Sequence, residues 1–460
     1  MKIVFLKFMI LLSGLMIALL SILLTDCTGR SSGSENIEST ESKSLSISDD
    51  SLLTLVQYQT FQYFWDGAEP TFGLARERVH MDNIYPAHDK NIVTSGGTGF
   101  GLMAILVGVE RGFITREQAF ERFKKIVDFL ENADRFHGVF PHWWQGETGK
   151  AIAFSKKDDG GDLVETAFLA QGLLTVRQYF QFGDAKEKEL VKRIDKIWKE
   201  IEWNWHTKNG ENVLYWHWSP NFGWDMNFPV GGYNEALIMY VLAASSPTYG
   251  IEPEVYHEGW ARKGAIETDE TYQGYDLVLD HYEHDGSKVG PLFWAHYSYL
   301  GLNPTTLKDQ YGEYWILNQS QVGVHYDHCV NNPNGYKGYS KDNWGLTSSY
   351  SVKGYKSHRP DQDVGVISPT AALSSFPYSP KESMDMLKFL YAPDQDSLIG
   401  KYGPYDAYSF EHSWHLPRYL AIDQGPIPVM IENHRTGLLW KLFMSCPEVQ
   451  QGLDKLGFTY

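Results

Sequence analysis

Cysteine is scarce: the chain of 460 residues has three, Cys27, Cys329 and Cys446. That excludes a disulfide scaffold and leaves Cys329 and Cys446 as either a pair or two buried thiols. Positive charge is also short, with 40 Lys and Arg against 57 Asp and Glu and a formal net charge of −17. Nucleic acid needs clustered cations, so it is excluded as the main partner. There is no phosphate-binding glycine loop and no Gly-x-Ser-x-Gly elbow. The stretch DDGGD hints at a calcium loop but lacks the twelve-residue ligand pattern. His325, His328 and Cys329, like His281 and His284, have helix-face spacing without a second ligand cluster. They read as structural or substrate-contact groups, and neither a metal nor a cofactor is expected. Strand alternation is weak throughout, and no sequence repeat recurs at a short period.

Aromatic residues are abundant, at 15% of the chain, with 15 Trp and 28 Tyr. Sugar rings present flat C–H faces that stack on indole and phenol rings, so the excess fits a glycan ligand. A large aromatic core would produce the same count, and about half of the Trp are expected to be core or loop anchors. The hydrophobic content of 43% is enough for a substantial core.

Residues 1–27 read as an export signal. Lys2 and Lys7 precede an apolar run from Phe8 to Leu24, and Leu24-Thr25-Asp26-Cys27 resembles a bacterial lipoprotein signal with Cys27 as the lipidated residue. Asp26 departs from that pattern, which prefers a small residue there; an uncleaved membrane anchor is the alternative. Residues 28–50, rich in Ser, Glu and Gly, read as a disordered tether. The expected location is therefore the periplasm or outer-membrane surface of a bacterium, held by a lipid, as a monomer.

From Ser51 onward apolar periodicity predicts about a dozen helices, so the fold class is all-α. Thr115-x-x-Gln118 supplies a capping box for one of them. Gln424–Met444 reads as one long helix, and Pro304–Cys329 as another. The connections at 65–97, 134–161, 203–232, 263–290 and 332–368 are longer than usual and rich in Trp, Gly, His and Asp, which marks them as functional. Short and long connections in alternation suit a ring of helical hairpins with the long loops gathered at one end. No linker interrupts residues 51–460, which form one domain.

The stretch Lys156–Leu174 concentrates the chemistry. Asp158, Asp159 and Asp162 flank Gly160-Gly161, whose lack of side chains lets the backbone turn freely, just before a helix apolar almost all round. Glu235 follows a second Gly-Gly pair at the start of another buried helix. Glycosidic cleavage uses two carboxyl groups, one protonating the leaving oxygen and one activating water or attacking the sugar. Asp162 and Glu165 also have capping-box spacing, so both could serve the helix end instead. The helix dipole at Glu235 favours its ionised form, which a proton donor would need burial and neighbouring acids to overcome. Each acid-bearing loop carries candidate sugar contacts: His142, Trp143, Trp144 and Asp159 around the first, His217, Trp224, Tyr233 and Asn234 around the second, and Trp344 further on.

The stretches DDGGDLVETAFLAQGLL, GGYNEALIMYVLAASSPTYG, FWAHYSYLGLNP, NWGLTSS, ISPTAALSSFPYSP and YLAIDQGPIPVMIENHRTGLLWKLFM resemble, in order over about residues 50–445, the glycoamylase-like glycoside hydrolases typified by the β-1,2-glucanases of glycoside hydrolase family 144. The resemblance implies an (α/α)6 toroid of two helix rings with a cleft at one end. It implies an inverting hydrolase of β-1,2-glucan or its oligosaccharides, needing no cofactor. By motif, Glu235 matches the general acid, and Asp158 and Asp162 match acids implicated in catalysis; either could act on water, directly or by holding a relay. An α-glucan substrate does not follow from these motifs. A non-catalytic glycan-binding lipoprotein would share the tether, helices and Trp platforms. A uronate-acting enzyme would need basic clamps, and the loops offer few beyond Arg76, Arg78 and Arg359.

Overall fold

The computed structural model describes residues 47–85, 89–281 and 288–460, all within one compact unit. Cys27, the signal and nearly all of the tether lie outside them. Ser48 caps the first helix through its side chain and Asp49 begins it, so order starts two residues before the predicted boundary.

Thirteen α-helices follow in order: α1 Asp49–Trp65, α2 Ser95–Glu110, α3 Arg116–Leu130, α4 Leu163–Phe180, α5 Ala185–Lys199, α6 Leu237–Ser245 and α7 Tyr314–Asn331. Then come α8 Pro369–Leu373, α9 Pro380–Leu390, α10 Ala421–Gln424, α11 Pro426–Thr436, α12 Leu438–Met444 and α13 Pro447–Lys455. The long helix expected over 424–444 is three helices. Gly437, at φ 69°, separates the last two, a conformation that ends a helix and suits glycine. The helix expected from Pro304 begins only at Tyr314; the residues before it form a bend.

The helices sort by their faces. In α4 every residue but Tyr179 is buried, and α6 is buried throughout. By contrast α3, α5, α9 and α13 bury one stripe and expose charge on the other. Burying each large apolar side chain stabilises by about 1.5–3 kcal/mol, so the inner helices carry the core and the outer ones shield it. Both Thr115 and Asp184 complete capping boxes at the starts of α3 and α5. The innermost contact, α2 against α4, is backbone to backbone. A Cβ on Gly99 would lie 2.1 Å from the Phe168 carbonyl oxygen, and one on Gly172 would lie 2.2 Å from that of Gly99.

The long connections are ordered by short antiparallel ribbons of two or three strands, which weak alternation did not foretell. Two of these position the site. Residues 161–162 pair with 217–218, and residues 78–80 pair with 418–420. Cys329 and Cys446 are both buried and unpaired. No helix among the described residues is long and apolar enough to cross a membrane.

Candidate active site

The DDGGD loop is pinned from both sides. The amide of Phe154 donates to the Asp158 carbonyl at 2.9 Å, and Asp162 pairs with His217 in the short ribbon. Gly160 is required by crowding rather than by turn geometry, since its φ is not positive. A Cβ there would sit 2.2 Å from the Trp218 carbonyl oxygen.

Asp162 is fully buried and caps α4. One oxygen accepts the Glu165 amide at 3.0 Å and the Trp216 indole N–H at 2.9 Å. The other lies 2.9 Å from His142 Nδ1. Burial opposes charge on both partners, yet the His142 bond and the nearby His217 hold the Asp162 carboxyl below its usual range. Burial likewise opposes charge on His142, but Glu165, Asp162 and Asp158 hold it up at about 9. His142 is therefore an imidazolium at neutral pH. Glu165 is pushed up to about 7, first by burial, against His142, and further by Asp162 and Asp158. Its Oε2 accepts the Gly96 amide at 2.9 Å, tying it to the start of α2. The capping box expected from Asp162 and Glu165 is thus half made: the Asp162 amide goes to the Phe140 carbonyl instead. Asp158 is buried, and His217 Nδ1 lies 3.4 Å from its carboxylate. His142, Asp158 and Asp162 offer ligand atoms within 4.8 Å of one another.

A second acid cluster was not foreseen. The pairing of 78–80 with 418–420 sets Glu77 beside α10, whose Ala421 amide donates to the Glu77 carbonyl at 2.9 Å. Asp423, in α10, neighbours Asp406, which accepts the Tyr350 amide at 2.8 Å. Burial pushes Asp406 up to about 6; the neighbouring Asp423 and the Tyr350 amide act in the opposite sense. Burial and then the charge of Asp406 push Asp423 well above its ordinary value. Glu77 is also raised by burial, against its ion pair with Arg78.

A cavity of about 290 Å³ opens between the clusters. Its walls include Glu77 and Arg78 on one side, His142, Trp143 and Phe154 on the other, and Tyr350 and Tyr355 from the hairpin 348–357. Phe154 and Tyr355 stay 50% and 59% exposed, unusual for large rings without a ligand to cover them. Glu235 is buried in the turn before α6 rather than in the helix itself. Its carbonyl accepts the Ser298 hydroxyl. The Tyr297 phenol is pushed up by burial, then by Asp423, Tyr355, Glu165 and Glu235, so acids from three distant segments lie within electrostatic reach of one ring.

Several expected sugar contacts stand elsewhere. Trp144 and Trp344 are fully buried and donate to the carbonyls of Asp134 and Glu382, at 3.2 Å each. They brace the loops from behind. In residues 143–145 the strand alternation turns Trp143 to the cavity and Trp144 to the core. Tyr233 is buried, its hydroxyl on Asn318 at 2.7 Å, and Asn234 accepts the Ala236 amide at 2.9 Å as a local cap. Asp159 spends its oxygens on Ser219 and Asn221. Trp224 lines a different cavity, away from the acids. Of the histidines read as structural or substrate-contact groups, His325 meets the Gly290 carbonyl at 2.9 Å and His328 meets Asp363 at 2.8 Å, while His284 lies outside the described residues.

Helices that close around two buried acid clusters beside an aromatic-walled cavity place the chain among helical proteins with carboxylate-lined clefts. The glycoamylase family model matches residues 227–447. An endo-β-1,2-glucanase from Chitinophaga pinensis, solved with sophorotriose and glucose, is 59% identical with a TM-score of 0.88, covering 90% of this chain and 99% of that one. An exo β-1,2-glucooligosaccharide sophorohydrolase (non-reducing end) from Parabacteroides distasonis is 44% identical over 440 residues, 91% of this chain; the chain spans 60% of that relative's length. An endo-β-1,2-glucanase from Talaromyces funiculosus, in complex with sophorose, shares the fold at 10% identity, with a TM-score of 0.65 over 88% of this chain and 92% of that one. The chain belongs to the glycoamylase-like glycoside hydrolases.

Proposed function

We propose that the protein hydrolyses β-1,2-glucan or its oligosaccharides by an inverting acid–base mechanism, on an (α/α)6 toroid whose long loops gather the cleft at one end. The observation that carries the reading is an aromatic-walled cavity with buried acids behind its walls: Glu77 in the wall itself, and Asp162, held below its usual range, behind the lining His142. Inverting hydrolysis needs one carboxyl that gives a proton and another that takes one, with room between for water and sugar. The names of the 59% and 44% identical relatives support the β-1,2 linkage.

In this reading Glu235 protonates the leaving oxygen. Asp162, with three hydrogen bonds, is a positioning residue that fixes the His142 imidazolium. Asp158, with His217 Nδ1 3.4 Å from its carboxylate, receives the proton of the attacking water. His142, Trp143, Phe154 and Tyr355 cradle the sugar. The protein works as a monomer, exported and tethered through a lipid on Cys27. Incubation with linear β-1,2-, β-1,3- and α-1,4-glucans, with product analysis, tests the function. Sophorose or longer oligosaccharides from the β-1,2 polymer alone are expected; no products from any of the three would leave a glycan-binding lipoprotein in its place.

A further inference from the structure

A second cavity, of about 220 Å³, lies on the outer side of the same loops and shares no lining residue with the first. The ribbon at 217–218 explains the separation. Adjacent strand residues point to opposite faces, so His217 turns to the acids while Trp218 turns away. The Trp218 ring meets His137 at 5.0 Å and Trp205 at 6.1 Å.

Trp205 is held flat by this packing. Its indole stacks on His137 at 3.7 Å and 10°, and His137 is itself anchored to Glu202 at 3.1 Å. One face of the indole is thus covered, and the residue remains 38% exposed. Trp224 stands 6.4 Å away at 34°, forming a second wall. Lys208 and Asn209 adopt left-handed backbone, φ 50° and 70°, which is uncommon outside glycine and kept where a loop must hold a set shape. Lys208 donates to Asn227 at 2.6 Å, locking this turn to the loop that carries Trp224. The rest of the lining is Asn204, Thr207, Asn209 and Gly210, with no charged group.

Two fixed indoles with neutral amides at the rim match a neutral ring that has an apolar face and hydroxyls at its edge. The lining has neither a basic side chain to hold an anion nor a carboxylate to reinforce a cation, its amide rim does not suit a lipid chain, and the volume suits one sugar ring rather than several. We propose that this cavity is an accessory binding site for one glucosyl unit of a glucan chain, holding the polymer to the protein outside the catalytic cleft. The ligand class rests on the glucan-hydrolase reading; the site itself does not need the cleft to be active.

Affinity electrophoresis of the full chain carrying Glu235→Gln, in native gels containing linear β-1,2-glucan, tests it. Adding Trp205→Ala is expected to weaken retardation at least fivefold, and Asn204→Ala about twofold. With Glu235 intact, Trp205→Ala should leave kcat/KM on a β-1,2-linked tetrasaccharide within twofold while raising KM for the polymer. Unchanged retardation in Trp205→Ala, no retardation of the parent, or equal losses on tetrasaccharide and polymer would each overturn the proposal. Retardation that depends on Trp205 in a chain that cleaves no glucan would support the site while removing the hydrolase reading.

Discussion

Asp162→Asn isolates the charge at the centre of the site. Asparagine is as good a helix cap as aspartate, so the start of α4 survives and only the ion pair with His142 is lost. Lifting a histidine from 6.5 to about 9 corresponds to about 3 kcal/mol of folding free energy. Glu165 is the largest of the attractions on His142, with Asp162 and Asp158 sharing the remainder. The substitution should therefore cost about 2 kcal/mol at pH 7, less than the roughly 3–5 kcal/mol of breaking a buried pair outright, because asparagine keeps the cap. The sign follows from the two directions. His142 is raised, so its contribution is complete below about pH 6.5 and disappears as pH rises through about 9. Asp162 is lowered, so its contribution is present above about pH 3.9 and is lost as pH falls through its folded value. Urea unfolding followed by tryptophan fluorescence should show a gap of about 2 kcal/mol between wild type and variant at pH 7, narrowing to under about 1 kcal/mol at pH 10. A gap of the same size at both pH values, or none at pH 7, would refute the charged pair.

Other consequences are as direct. Glu235→Gln should lower kcat by about 10²–10⁴-fold, the usual worth of a positioned proton donor, with little change in unfolding midpoint. Asp423→Asn replaces a buried carboxyl whose charged form burial and Asp406 disfavour, so stability should stay within about 1 kcal/mol. Trp344→Ala opens a cavity in the core and should cost about 3–5 kcal/mol, visible in thermal unfolding, with KM for short substrates unchanged at temperatures where the variant is folded.

The helices were legible because their signals are local. Capping residues such as Thr115 and apolar runs such as Leu163–Leu174 act within a few turns. The first acid cluster was legible for a similar reason, since Asp158, Asp162 and His142 lie within about 20 residues and one ribbon gathers them. Glu77, Asp406 and Asp423 carry no such mark. They meet only because residues 78–80 pair with 418–420, a contact across most of the chain. Tryptophan was ambiguous throughout: Trp143 and Trp144 are neighbours in sequence, yet one faces the cavity and the other the core. The strand alternation that separates them spans three residues, too short to read from composition. Gly160 was rightly singled out for the wrong reason, since close approach to Trp218 rather than an unusual φ requires it.

The central claim is the inverting cleavage of a β-1,2 linkage with Glu235 as the proton donor. Proton NMR of the first minutes of reaction on linear β-1,2-glucan tests it most directly. The account predicts new reducing ends that appear first as the α-anomer and then mutarotate, with Glu235→Gln abolishing the signal. Initial release of the β-anomer, or no release at all, would contradict it.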